Sequence, residues 1–370
     1  MFVPRHTFCL AALALFAGAF PVSAVASNLD GVFDAGWTTA YQSADSIGHM
    51  HKRLHALGME HVVLQYAAVE KTHLYYPSAL DFLQNTEYRN NQLFPMSVEA
   101  ARAAGNRLWL GLYYDGENWY SPPSAEQLDS LAARNLLVLD ELYGLYGGDS
   151  VVEGVYIPQE IARYYWDGLR EGLTAKTLAE HFLNPVLQAA RAKGWKVMAA
   201  PFFNQNLESP DTLRSFFESL FAAGFTPDVL ALQDGVGASD GGKAHADTAT
   251  VGSYERAVAQ ACSQYNVEFW VDLELFRTDD SHALAGASRV SAQLDSARAA
   301  GAVRVIGYDL AVLGNAGLDS LEKWMPHDTS ATVSVGRRPV PGAGRTVAPR
   351  YYRLNGARVN PGQRAVLPRR

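Results

Sequence analysis

The stretch Ala192-Lys193-Gly194-Trp195-Lys196-Val197-Met198-Ala199-Ala200-Pro201-Phe202-Phe203-Asn204 contains, in thirteen residues, the unit from which the chain is built. A helix-like segment ends at Ala192-Lys193, Gly194 follows, Lys196 opens an apolar run, and the run closes on the amide of Asn204. A residue able to take positive φ is what lets a helix stop and turn back into a sheet. An apolar run without polar alternation predicts a strand covered on both faces, the habit of parallel sheets.

Working outward, seven further runs share this character: Gly31–Trp37, His61–Val69, Arg107–Asp115, Gly154–Glu160, Val229–Val236, Glu268–Phe276 and Arg304–Leu313. With Lys196–Asn204 they make eight, and their starts lie 30, 46, 47, 42, 33, 39 and 36 residues apart, room for one loop and one helix in each interval. Gly58, Gly105, Gly224 and Gly301 each stand between an apolar helix end and the next strand, as Gly194 does. Helix starts are marked by Ser97 before Val98-Glu99-Ala100, by Ser124 three residues ahead of Gln127, and by Ser209-Pro210. An open doubly wound sheet carries a glycine-rich phosphate turn after its first strand, and Asp34-Ala35-Gly36-Trp37-Thr38-Thr39 has none. The 309 residues from Ser27 to Val335 suit a closed barrel, so the sequence predicts an α/β fold, a (β/α)8 TIM barrel, as one domain over residues 27–335.

The two ends differ from this body. Arg5 and His6 precede an apolar run from Phe8 to Phe20, shorter than the ~20 residues of a membrane span, and Ala24-Val25-Ala26 fits a cleavage site. Residues 1–26 therefore read as a signal peptide, and the protein as exported to the periplasm or beyond, with no membrane span. Loss of Cys9 with that signal leaves Cys262 alone; no internal disulfide is then expected, and the helical spacing around Cys262 reads as a buried small side chain. Residues 336–370 hold nine arginines and no acid, whereas Ser27 to Val335 holds 21 basic and 38 acidic residues. This tail reads as a flexible or weakly ordered basic appendage, docked on the acidic body or touching an anionic polymer. Over the whole chain, 48% apolar and 11% aromatic residues exclude disorder, and a net charge of −7 argues against a nucleic-acid partner. A monomer is expected.

In a barrel of this kind chemistry collects at the carboxyl ends of the strands. Those ends carry Asp34 and Trp37, Gln65 and Tyr66, Tyr113 and Asp115, Gln159 and Glu160, Asn204, Gln233 and Asp234, Asp272 and Glu274, and Tyr308, with Trp119 and Trp166 in the loops. Tyr75, Tyr76, Tyr120, Tyr164 and Tyr165 add further ring faces. Carboxylates and carboxamides hydrogen-bond sugar hydroxyls while Trp and Tyr pack on the C–H face of the ring, so the set reads as a carbohydrate cleft. No Ser or Cys stands beside a His at these ends, and neither cofactor nor metal is expected. Glu160 and Glu274 close otherwise apolar strands four and seven, where an ionised carboxylate costs several kcal/mol to bury unless it is paired or functional. Two carboxyl groups facing each other across a barrel mouth have the arrangement of acid/base and nucleophile in a retaining glycosidase.

The runs Ile157-Pro158-Gln159-Glu160-Ile161 with Tyr165-Trp166, Leu232-Gln233-Asp234-Gly235-Val236-Gly237, and Val62-Val63-Leu64-Gln65-Tyr66 resemble the domain-of-unknown-function family 4434. Members of that family are exported barrels grouped with the glycoside-hydrolase superfamily, and the resemblance covers about Asp30 to Leu321. The wider similarity, to the clan of retaining glycosidases with an acid/base Glu after strand four and a nucleophile Glu after strand seven, implies a retaining glycosidase acting on a polysaccharide or oligosaccharide, with the acid/base falling on Glu160 and the nucleophile on Glu274. The wider clan has Asn before its acid/base Glu, where this chain has Gln159. That departure supports an alternative, a non-catalytic carbohydrate-binding barrel accessory to exopolysaccharide export.

Two histidine patterns carry less. His51 and His55 share a helical spacing without the Glu of a zinc protease, which reads as a solvated helix face. His245 and Asp247 lie in a polar stretch after strand six and read as a solvated loop, with a lid as the functional alternative.

Overall fold

Alternate residues along each strand separate two cores. In the computed structural model, which describes residues 29–119, 124–166, 173–240, 243–277, 283–324, 351–352 and 358–359, Phe33, Val63, Trp109, Tyr156, Trp270 and Ile306 fill the inside of a cylinder. Their neighbours in sequence point outward to a second, larger core under the helices. The cylinder is built from β1 (Gly31–Asp34), β2 (His61–Leu64), β3 (Arg107–Gly111), β4 (Val152–Ile157), β5 (Lys196–Ala199), β6 (Val229–Gln233), β7 (Glu268–Glu274) and β8 (Arg304–Tyr308). Each strand pairs in parallel with the next, and β1 closes on β8. This is the (β/α)8 barrel that the spacing predicts.

Eight helices return the chain: α1 (Ala44–Ala56), α2 (Leu93–Ala104), α3 (Ala125–Tyr146), α4 (Asn184–Ala192), α5 (Pro210–Ala222), α6 (Val251–Gln264), α7 (Ala287–Ala299) and α8 (Leu310–Trp324), the last broken at Gly314. Helix α5 shows why they dock: Leu213, Phe216, Phe217, Leu220 and Phe221 recur at a 3.6-residue period and are all buried. The five glycines at helix ends, Gly58, Gly105, Gly194, Gly224 and Gly301, have φ from 76° to 103°, a conformation that costs a residue with a Cβ about 1 kcal/mol or more. Ser124 and Gln127 form a capping box at the start of α3, and Ser209 forms another with Thr212.

Several expectations shift in detail. Each strand ends before its run does, because the ladder stops where the chain flares into the mouth loops; Leu310–Leu313 is already helix α8. Ser97 does not cap α2, which starts at Leu93 with Pro95 in its first turn, so Ser97 is interior and buried. His51 is not on a solvated face: it is fully buried against Asn106, Nδ1 to Oδ1 3.3 Å, and burial pushes its pKa down to about 4, which keeps it neutral. Cys262 is buried on α6, as its spacing suggests. The polar stretch after β6 forms a short hairpin, Ser239–Asp240 with Lys243–Ala244, and Asp247 accepts from the amides of Ala249 and Thr250 ahead of α6. The signal residues 1–26 and Tyr120 lie outside the described residues. Of the basic tail only Tyr351–Tyr352, paired antiparallel with Arg358–Val359, is described.

One addition to the barrel matters for the site. After β2 the chain makes a small four-stranded sheet over the mouth, in the order Tyr88–Arg89, His73–Leu74, Ala68–Val69, Tyr113–Tyr114. Its last member lies just beyond β3, so the sheet is pinned to the barrel wall.

Candidate active site

At the end of β7, Glu274 is buried and its Oε2 accepts two backbone amides, Gly237 N and Ala238 N, each at 2.6 Å. Gly237 permits this approach, since a Cβ there would sit 2.9 Å from the Cβ of Glu274. Oε1 of Glu274 accepts no hydrogen bond among the described residues. The backbone of Glu274 is fixed as firmly as its side chain. Its N–H donates to Asp234 Oδ1 at 3.3 Å, and its carbonyl accepts from Arg289 at 2.7 Å and Gln293 at 3.1 Å. Asp234, at the end of β6, accepts in addition from Val236 N and from Gln293 Nε2, at 3.1 and 2.6 Å.

Opposite, at the end of β4, Glu160 is half-buried and its carbonyl accepts the indole N–H of Trp119 at 2.7 Å. Burial, then the charges of Glu274, Asp234, Glu160 and Asp309, hold the carboxyl of Asp272 well above the usual carboxylate range. The Tyr308 hydroxyl donates to Gln65 Oε1 at 3.2 Å, and its phenol is pushed up by burial and by Asp309, Glu160 and Asp272. Tyr66 is raised likewise, by burial and then by Tyr308, Tyr156 and Glu160. These mutual influences bring Glu160, Asp272, Glu274, Tyr308, Gln65 and Tyr66 around one space at the carboxyl ends of the strands.

The protonation balance at Glu274 is not that of a free carboxylate. Burial and then Asp234 push its carboxyl up to about 8, against the amides of Ala238 and Gly237 and the positive charge of Arg289, which favour the anion. Burial likewise lifts Asp234 and Asp34 to about 6. Asp34 ends β1 with Oδ1 on Gly36 N and Thr39 Oγ1, both at 2.9 Å, and its buried Oδ2 has no partner among the described residues. The turn held this way carries Trp37 outward, 41% exposed.

Other expected site residues have local duties instead. Trp119 and Trp166 are only 2% and 1% exposed; their rings meet at 5.3 Å, and Trp119 also packs on Phe182, so neither presents a free face to a sugar. The Tyr113 ring packs on Phe82 and beneath Arg134, and Asp115 pairs with Arg134 at 3.2 Å, both on the helix side of the wall. Asn204 Oδ1 accepts from the backbone and side chain of Asn206, each at 2.9 Å. Gln233 donates to the carbonyl of Ala200 at 3.0 Å, and Gln159 to that of Tyr113 at 2.9 Å. The alternation that puts a residue on a strand end does not say which way its side chain turns beyond the last ladder bond.

Residues 42–315, well over half of the 370, match the family model described as domain of unknown function, DUF4434. The chain belongs to the DUF4434 family. No curated protein matches this DUF4434 barrel in sequence. Among solved structures it is similar to a candidate alpha-L-fucosidase from Bacteroides thetaiotaomicron VPI-5482, with a TM-score of 0.66 and 17% identity over 80% of this chain and 95% of that one. It is also similar to the endo-1,4-beta-mannanase from Rhizomucor miehei, with a TM-score of 0.50 and 11% identity over 80% and 95% of the two chains. The DUF4434 barrel thus has a glycosidase-like fold. Among its described residues no helix is long and apolar enough to cross a membrane, and no group of three or more His, Cys, Asp or Glu is arranged to hold a metal ion.

Two participants escape a reading of strand ends. Arg289 and Gln293 come from α7, one helical turn apart, and fix Glu274 from behind. Their spacing of four was visible, but nothing in the sequence assigns that face of α7 to the end of β7. Asp309, one residue past β8, adds to the negative field at Asp272 and Tyr308.

Proposed function

We propose that this protein is an exported, retaining glycoside hydrolase of polysaccharides or oligosaccharides, monomeric, with Glu274 as nucleophile and Glu160 as general acid/base. The observation that carries the reading is the setting of Glu274. One carboxylate oxygen is fixed by two amides while the other accepts no hydrogen bond among the described residues, which suits attack along one fixed direction. In the first half-reaction Glu160 gives its proton to the leaving oxygen as Glu274 bonds to the anomeric carbon. In the second, water loses a proton to Glu160 and displaces Glu274. In this reading Asp34, Gln65, Tyr66, Asp272 and Tyr308 bond sugar hydroxyls. No step calls for a cofactor.

Cleavage needs Glu274 as the anion and Glu160 with its proton, so kcat/KM should follow a bell in pH, with Glu274, raised to about 8, setting one of its limbs. A reducing-sugar assay over a panel of bacterial and plant polysaccharides tests the activity. Glu274→Ala should abolish cleavage, with partial return on added azide or formate, while Glu160→Ala should retain turnover of aryl glycosides with good leaving groups. Full activity in Glu274→Ala would end the assignment. A second reading, a carbohydrate-binding barrel accessory to exopolysaccharide export, is favoured by one contact: the amide of Gln159 is spent on the Tyr113 carbonyl. Under it the protein binds a polysaccharide and never cleaves it. The basic tail, with nine arginines, would then help hold an anionic polymer near the barrel.

A further inference from the structure

Among the described residues the exposed aromatic side chains are Trp37, Tyr41 and Tyr88, at 41%, 57% and 45%. They come from two separate segments, the loop after β1 and the small sheet, yet they meet on one side of the mouth. The Trp37 ring is 5.1 Å from His73, and His73 stacks on Tyr88 at 5.0 Å with 24° between the planes. Tyr41 is close enough to Tyr75 and Tyr88 to act electrostatically on both. In the other direction Trp37 lies 5.7 Å from Tyr66, and Tyr66 senses the charge of Glu160. A continuous line of rings therefore leads from the candidate acid/base, over the small sheet, to solvent.

Exposed rings cost a protein solubility, and three of them in one patch beside a cleft mark a binding surface. Their geometry selects the ligand. Trp37 and Tyr88 lie 5.1 and 5.0 Å from His73, with 79° and 24° between the planes, and such separate exposed ring surfaces suit successive sugar rings, each of which has an apolar C–H face. Charge selects further, because carboxyl groups already crowd the mouth so closely that burial and their neighbours hold Asp272 and Glu274 protonated, and a polyuronate would bring more like charge to the same place.

We propose that Trp37, Tyr41 and Tyr88 form a distal platform for an uncharged pyranose polysaccharide, whose chain runs from the mouth across the small sheet with its rings stacked on these side chains. The natural substrate is then a polymer and not a disaccharide, and the platform holds sugars remote from the bond that is cut. The proposal takes only the location of the cut bond from the glycosidase reading; the platform itself is argued from the rings.

Affinity gel electrophoresis tests it, with dissolved glucan, mannan, galactan and xylan, and a polyuronate for comparison. At least one neutral polymer should retard the wild-type protein. Trp37→Ala and Tyr88→Ala should each raise Kd at least tenfold with an unchanged melting temperature, and Trp37→Phe and Tyr88→Phe should recover most of the affinity. Retardation of the wild type by none of these polymers, or by the polyuronate alone, overturns the platform, as does equal retardation of wild type and both alanine variants. Retardation that depends on Trp37 and Tyr88 without release of reducing ends keeps the platform and removes the glycosidase. Release of reducing ends with variants that bind as well as wild type does the reverse.

Discussion

Replacing Trp119 separates a sugar-binding ring from a structural one. The indole is 2% exposed, packed on Trp166 at 5.3 Å and Phe182 at 6.0 Å, and its N–H donates to the Glu160 carbonyl at 2.7 Å. Truncating a buried aromatic to alanine costs about 3–5 kcal/mol, and losing one hydrogen bond about 0.5–1.5 kcal/mol of that. Against a typical total stability of about 5–15 kcal/mol, Trp119→Ala should move the urea midpoint far toward zero. Trp119→Phe keeps most of the packing and loses the bond, so it should cost about 1–2 kcal/mol and loosen Glu160 in particular. Its signature is a kcat that falls more than the melting temperature does. Equilibrium unfolding in urea measures the first effect and initial rates on an aryl glycoside the second. If Trp119→Ala unfolds within about 0.5 kcal/mol of wild type and loses only oligosaccharide binding, the ring is a sugar platform and the packing argument fails.

Glu255, on α6, is fully buried and accepts from Ser296 Oγ on α7 at 2.6 Å, and burial raises its carboxyl from 4.5 to about 8. A raised carboxyl binds its proton more tightly folded than unfolded, so its contribution is complete below pH 4.5 and is lost as pH rises to about 8. Glu255→Gln mimics the protonated form and should melt several degrees above wild type at pH 9 and level with it at pH 5; identical melting curves at both would show an accessible, ionised side chain. Burial also pushes the Cys262 thiol up, so a disulfide reagent should leave it untouched in the folded protein and titrate it fully in denaturant. Rapid modification of the native protein would contradict its position in α6.

The barrel was legible because its signals are local and repeated. A glycine such as Gly194 does the same thing at the end of five of the eight helices, and eight apolar runs at similar intervals leave few other topologies. The site was legible only as far as the strands point. Glu160, Glu274, Asp272 and Tyr308 share one space because strand parity and position put them there. Trp119 and Trp166 misled because an aromatic near a mouth looks alike whether its faces are free or packed on one another; the difference is a tertiary contact, Trp166 to Trp119, between residues far apart in sequence. Tyr88 was missed for the opposite reason, since it lies in an insertion with no periodic pattern, and its value comes from the strand pairing that stacks it on His73.

The small sheet over the mouth has its rings on paired backbone. Tyr88 is laddered to His73, the next strand continues the pairing, and Ala68–Val69 is bonded in register to Tyr113–Tyr114 beyond β3. Side chains carried on a free loop would each forfeit about 0.5–1.5 kcal/mol of motional freedom when a partner arrives. Here much of that ordering is completed during folding, so a long, weakly adhesive ligand meets a surface already in shape, and a larger share of its contact energy is left to appear as affinity.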